Sequence, residues 1–232
     1  MGEQFSVNID GNMVPVTVRR NAQAKRLILR VERATGEIKL TLPLHVGSST
    51  AEKFVQKQIS WIAAERATLQ PLKLLGHGSE MPYQDEAHQI IFTDCAPRKI
   101  ARVAGEIRVG GPEDMAPRRL ENWLRREAKL LLGERAAVHA ETLDVRYNRV
   151  SIGDMKSRWG SCSSRGTLRF SWRLLMAPYA VMDYVAAHEV AHLLEMNHSD
   201  RFWAEVARCV PDHKPLRRWL KTEGNALFKL HF

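Results

Sequence analysis

The run Val181-Met182-Asp183-Tyr184-Val185-Ala186-Ala187-His188-Glu189-Val190-Ala191-His192-Leu193 constrains the fold of this chain more than any other. It holds good helix formers, contains no breaker and is largely apolar, which predicts a buried helix. Two histidines and a glutamate are costly in such a helix unless they share a purpose, because each loses its hydration. Histidines four positions apart lie about one turn apart on one face, so both imidazoles can reach a single ion. Zinc takes neutral imidazole nitrogen readily, and a catalytic site needs only three protein ligands and a water. Glu189, next to the first histidine, is placed to take a proton from that water, whose pKa the ion lowers from ~15.7 towards ~7. The run therefore predicts one Zn2+ ion held by His188 and His192, with Glu189 as general base.

A third ligand has to come from downstream. His198 follows His192 by six positions, and a continuous helix would rotate those positions by about 600°, well off the His192 face. The helix is therefore expected to end near Asn197, a residue that tolerates the left-handed conformation, and the chain to turn His198 back towards the ion. Glu195 is the rival, at a spacing that needs no turn. His198 is preferred because Ser199-Asp200 look like the cap of a fresh helix.

The rest of the chain supplies a frame for this helix. Val14, Val16 and Val18, then Leu27, Leu29 and Val31, then Ile38, Leu40 and Leu42 alternate with polar residues, broken by Asp10-Gly11 and Thr35-Gly36. That spacing predicts antiparallel hairpins. Ser49 with Glu52 resembles a capping box, followed by helical spacing to about Thr68. Short strands are expected over 88–93, 99–103 and 106–109. Gly110-Gly111-Pro112 is the clearest punctuation, after which helices dominate. Pro117 suits a first helical turn, and Leu120, Trp123, Leu124, Ala128 and Leu131 form a stripe continuing towards Ala140. Strands are expected over 144–152 and 167–172, then the metal helix, a helix over 200–208 and a shorter one over 215–221. The expected organisation is α+β: a β-rich N-terminal region with one helix over 1–111 and a catalytic domain over 112–232.

Four segments in order carry a resemblance: Lys156-Ser157-Arg158-Trp159-Gly160-Ser161-Cys162, Leu168-Arg169-Phe170-Ser171-Trp172-Arg173-Leu174, His188-Glu189-Val190-Ala191-His192-Leu193, and Asn197-His198-Ser199-Asp200-Arg201-Phe202-Trp203. Together they resemble the YgjP-like metallopeptidases, which are related to the SprT-like zinc proteases. The resemblance implies a zincin fold with a small mixed sheet and an HExxH helix. It also implies His188, His192 and His198 as ligands, Glu189 as acid/base, and peptide or protein as substrate. By that likeness, 167–172 is either an edge strand that pairs with extended substrate, with Arg169 and Phe170 as contacts, or an interior strand with Phe170 and Trp172 buried. Arg158 either stabilises an oxyanion or holds a substrate carboxylate, or its Trp-Gly-Ser turn simply packs a loop. A metzincin is disfavoured, because Glu195 stands where that group has glycine.

The remaining residues are read as structural. Phe202 and Trp203 are expected to pack, Cys162 to be a small buried residue, and His213 to be a surface histidine rather than a neighbour of a ligand. His45, His77, His88, His139 and His231 have no partner at ligand spacing. The formal net charge of +9 and pI near 9.7 lean towards acidic or polyanionic partners. Yet Arg217-Arg218-Lys221 reads as a solvated helix face, and no dedicated nucleic-acid motif is visible. Three scattered cysteines give no disulfide framework, and a reducing cytoplasm is the expected compartment. No apolar run can span a bilayer, and the first residues lack a secretory pattern. Two other functions compete with peptide hydrolysis. One is metal-dependent hydrolysis of a nucleotide phosphoanhydride, which suits the charge but lacks a P-loop and a carboxylate cluster for magnesium. The other is a nucleic-acid-associated protease or binding module.

Overall fold

The computed structural model describes residues 3–32, 35–67, 73–94, 97–155 and 158–232. The chain forms two compact units, Met1–Leu72 and Lys73–Phe232. In the first, strands β1 (Glu3–Ile9), β2 (Asn12–Arg20), β3 (Ile28–Val31) and β4 (Ile38–Leu42) form a sheet in the order β1-β2-β4-β3. β1 and β2 make the expected hairpin across Asp10-Gly11, where both residues adopt positive φ. β3 and β4 are antiparallel, and β2 and β4 parallel. Val16, Val18, Ile38, Leu40 and Leu42 face a core closed by Ala51, Val55 and Ile62 of helices α1 (Ser48–Lys57) and α2 (Ile59–Ala67). The anticipated capping box does not form. Gly47 is the cap residue of α1 and no side chain caps it, which places Ser49 inside the helix. One helix was expected here, and the chain instead breaks at Gln58.

The second unit holds everything that bears on the site. Strands β5 (Lys73–Leu74), β6 (Glu80–Tyr83), β7 (Glu86–Thr93), β8 (Ile100–Val103) and β9 (Glu106–Gly110) precede the long helix α3 (Ala116–Leu143). The sheet order is β6-β7-β9-β8. The expected domain boundary at residue 111 is thus displaced to 72/73, and the reason is packing. Met81, Tyr83, Ile90, Ile107 and Val109 share one core with Leu120, Leu124 and Ala128 of α3. Gly110-Gly111-Pro112 only ends a strand inside that unit, and Arg119 donates to the carbonyls of Gly110 and Pro112.

β10 (Arg149–Gly153), β11 (Gly160–Cys162) and β12 (Thr167–Ser171) follow, then α4 (Tyr179–Ala191), α5 (Asp200–Cys209), α6 (His213–Thr222) and β13 (Leu230–His231), which pairs with β5. β10 starts five residues later than expected, because Asp144 ends α3 in a left-handed conformation and Val145 still donates to the Ala140 carbonyl. The three-stranded sheet is mixed, in the order β10-β12-β11, parallel between β10 and β12 and antiparallel between β11 and β12. β12 is therefore interior rather than an edge, and β11 is the edge nearest α4. Among the described residues no helix is long and apolar enough to cross a membrane. Cys95, the Lys156-Ser157 pair and the helix end at Thr68 lie outside the described residues.

Candidate metal centre

α4 is the scaffold of the site. Val181, Met182, Val185, Ala186 and Val190 are all buried, so the helix is fixed by apolar contact around most of its circumference. Asp85 accepts the free backbone N–H of Tyr179 at its start, at 3.1 Å. On one side Asp183 accepts from Arg135 of α3 at 2.6 Å and lies 2.7 Å from Nε2 of buried His139. Burial opposes ionisation of Asp183, but the bonds to His139 and Arg135 outweigh it and hold the carboxyl below its usual range.

The helix stops earlier than anticipated. The helix ends at Ala191 with His192 as its cap, rather than near Asn197, and Leu193 and Leu194 make tightened i→i−3 bonds to Val190 and Ala191. The imidazole itself helps close that turn, since Nδ1 of His192 donates to the Glu195 carbonyl at 3.0 Å. This bond fixes the tautomer and leaves the Nε2 lone pair free. Glu195 thus contributes a backbone oxygen to orient His192, and its carboxylate is not part of the cluster. Asn197 then accepts from the Ser199 backbone, and Ser199 caps α5 through the Phe202 N–H, as its position predicted. The chain reversal carries His198 over the helix end.

As a result one nitrogen from each of His188, His192 and His198 lies within 4.8 Å of the others. His188 Nε2 and His198 Nε2 are 3.1 Å apart. Nitrogens bound tetrahedrally at about 2.0–2.1 Å from zinc stand about 3.3–3.4 Å apart, so this donor pair fits such an ion with little adjustment. Burial, reinforced by the neighbouring imidazoles, pushes His188 down to about 3 and His198 in the same direction. Both shifts favour the neutral ring, the form that ligates. Phe202, fully buried, lies under all three imidazoles with ring centroids 4.5–4.8 Å away. The expectation that it packs is met, and its packing surface is the three histidines.

Glu189 is 5% exposed and borders an open cleft of about 260 Å³, lined by Gly160, Ser161, Cys162, His188, His192, Met196 and His198. Burial pushes its carboxyl up to about 8, against the smaller opposing pull of Arg158 and the Cys162 backbone N–H. A Cβ at Gly160 would stand 2.6 Å from Cγ and 2.7 Å from Cδ of Glu189, so this approach requires glycine. Arg158 is exposed and close enough for its charge to act on Glu189, but Arg169 and Phe170 do not join the site. Phe170 is wholly buried in the core, and Arg169 projects from the opposite face of β12 with its guanidinium against Gly153. The alternation along an interior strand explains both corrections. Cys162 is half-buried at the cleft, with its thiol pushed up to about 11 by burial.

Sequence reasoning missed a second layer. Tyr184 Oη lies 3.4 Å from His188 Nδ1. The rings of Tyr184, His213, Trp203 and His198 form a near-parallel stack with centroid separations of 6.4, 5.5 and 5.6 Å. Arg217 covers Trp203 at 4.4 Å. His213 is buried, not a surface residue, and its Nδ1 has no hydrogen-bond partner among the described residues. Tyr184, four positions before His188, was detectable from helical spacing. His213 had no such signal, because a different helix brings it in.

The family comparison agrees with this geometry. A family model described as YgjP-like, metallopeptidase domain, matches residues 25–223. No curated protein matches the chain. Among solved structures, the crystal structure of the metallopeptidase zymogen of Pyrococcus abyssi abylysin is similar, 25% identical with a TM-score of 0.36 over 40% of this chain and 95% of that one.

Proposed function

From the premise that this chain belongs to the YgjP-like metallopeptidase family, as the match over residues 25–223 shows, we propose that it is a zincin-type peptidase using one zinc ion. His188, His192 and His198 would hold the ion and Glu189 would act as general base. The observation that carries this reading is the convergence of three imidazoles beside a buried carboxylate at one cleft. When bound, zinc would supply Lewis acidity, polarising a carbonyl and lowering the pKa of a water towards ~7.

The chain's own groups divide the remaining work. Glu189 is held by the Cys162 backbone N–H and shielded by burial, so it can accept the water's proton and return it to the leaving amine. A cation beside it would pull its raised pKa back down, keeping it ionised at the start of the cycle. β11 is the outer strand of its sheet and borders the cleft, and an extended peptide pairing along its outward groups other than the Cys162 N–H would bring its carbonyl past Glu189. Arg158 at the rim adds positive charge where oxygen becomes negative. The test is a side-by-side assay on unfolded protein, short peptides and nucleoside triphosphates, with and without chelator. Chelator-sensitive peptide cleavage is expected. Hydrolysis of triphosphate alone would overturn the peptidase reading while leaving the metal site in place.

A further inference from the structure

Two grooves flank α3 and share no lining residue with the metal cleft. One, of about 640 Å³, lies between α3 and β10; the other, of about 390 Å³, lies between α3 and the segment leading into β8. They meet at Asn122 and Arg126, which border both. Arg119, Asn122, Arg126 and Lys129 follow 3-4-3 spacing, so they form one row on the helix, about 15 Å long. Arg98 and Lys99 stand across one groove and Arg149 across the other. Among the described residues no carboxylate lines either groove.

This charge is not neutralised within the chain. Arg125 is paired with Glu121 at 2.6 Å, whereas Arg98, Lys99, Arg126, Lys129 and Arg149 form no ion pair among the described residues. Arg119 is held by two backbone carbonyls, which orient its guanidinium without cancelling it. Unpaired cations brought together on a folded surface repel one another, and a chain that tolerates them gains when an anion arrives. A regular row suits a regular line of phosphates. The grooves also have an apolar floor, Trp123 and Ile100 in one, Val150 and Ile152 in the other. Exposed bases can rest on such a floor, and a duplex hides them.

We propose that this face binds single-stranded nucleic acid, with phosphates along the Arg119–Lys129 row and bases against the groove floors. The site is independent of the metal and of the reaction at Glu189. It would localise the enzyme on a polyanion rather than take part in hydrolysis.

The full chain should bind a fluorescently labelled single strand of about 15 nucleotides, with log affinity falling linearly against log salt concentration. Reversing Arg126→Glu and Lys129→Glu together should weaken binding at least tenfold. It should also make the salt slope shallower by about 1.4, at about 0.7 for each phosphate no longer neutralised. The control Arg19→Glu with Arg30→Glu has the same net charge on exposed residues of the first unit and should keep the original affinity. Melting temperature and metal content should be unchanged in both. Equal losses in the two variants would mean a non-specific charge effect and overturn the proposal. Equal competition by polyglutamate, or tighter binding of the matching duplex, would overturn it as well.

Discussion

The helix α4 carries two clusters of histidine and carboxylate, and they have opposite electrostatics. Towards α3, Asp183 has both His139 and Arg135 within hydrogen-bond distance, and its carboxyl is held below its usual range. Towards the cleft, Glu189 forms no ion pair among the described residues and is pushed up to about 8, while three imidazoles face one another at close range. The first cluster is satisfied by its own partners and fastens two helices. The second is left short of positive charge at its centre, a condition an added cation relieves. Strong perturbation alone does not mark function, since ion-pair networks also shift pKa values. What separates the two clusters is whether the chain supplies the balancing charge.

The comparison breaks most sharply under paired neutral substitutions. Glu189→Gln should lower kcat by roughly 10²–10⁴ while zinc content stays unchanged. Asp183→Ala should do the reverse. Leaving His139 and Arg135 without their shared carboxylate should cost about 3 kcal/mol of stability, seen as a lower Tm, with kcat of the folded protein preserved. If Asp183→Ala abolished activity without lowering Tm, the division of roles would fail.

Smaller effects sharpen the same contrast. Gly160→Ala places a methyl group against the Glu189 carboxylate and should reduce kcat by about 10- to 100-fold through misplacement of that group, with metal affinity intact. Trp203→Ala removes the ring stacked on His198, which is otherwise exposed on a loop. Zinc affinity, measured against a competing chelator, should fall about tenfold, and Trp203→Phe should restore part of it.

The finest distinction is pH dependence in the metal-free protein. Glu189 has a raised folded pKa, so its contribution is present below 4.5 and lost as pH rises through about 8. His188 has a depressed one, so stability falls as pH drops from 6.5 towards about 3, and His198 acts in the same direction. Glu189 and His188 each contribute at most about 1.4 kcal/mol per pH unit. Chelated protein should therefore gain stability from pH 8 to 6.5 and lose it at lower pH once the histidine slopes dominate. Glu189→Gln should remove only the gain. The Asp183 contribution, with a depressed pKa, is present above 3.8 and should be lost only in more acid solution. Denaturant titrations across pH would show whether the slopes separate in this way.

Much of the first unit was legible because its strands have one buried face, which writes period-two alternation into residues such as Val14, Val16 and Val18. The same kind of local rule failed at the capping box, where Ser49 has the right type but Gly47 begins the helix. It also failed at the domain boundary, where glycine and proline marked a turn and not a division. Phe170 could pass for a substrate contact because a short apolar run does not reveal whether a strand is edge or interior. Its neighbours β10 and β11 decide that, and neither is encoded in the strand itself.

The sequence alone determined which neighbouring residues of α4 lie together. His188 and His192 share a face because a helix has a fixed period, and Glu189 falls beside them for the same reason. Tertiary structure decided everything that needs two distant segments to meet. It returned His198 through an unwinding that starts at His192, stacked Trp203 and His213 behind the histidines, and set Gly160 of β11 against Glu189. It also gathered Arg98, Arg126 and Arg149, from three separate elements, around two grooves. Helical periodicity is a local rule and can be read along the chain. Which charges end up unpaired beside one another depends on packing, where the balancing partner is present or missing only once the chain has folded.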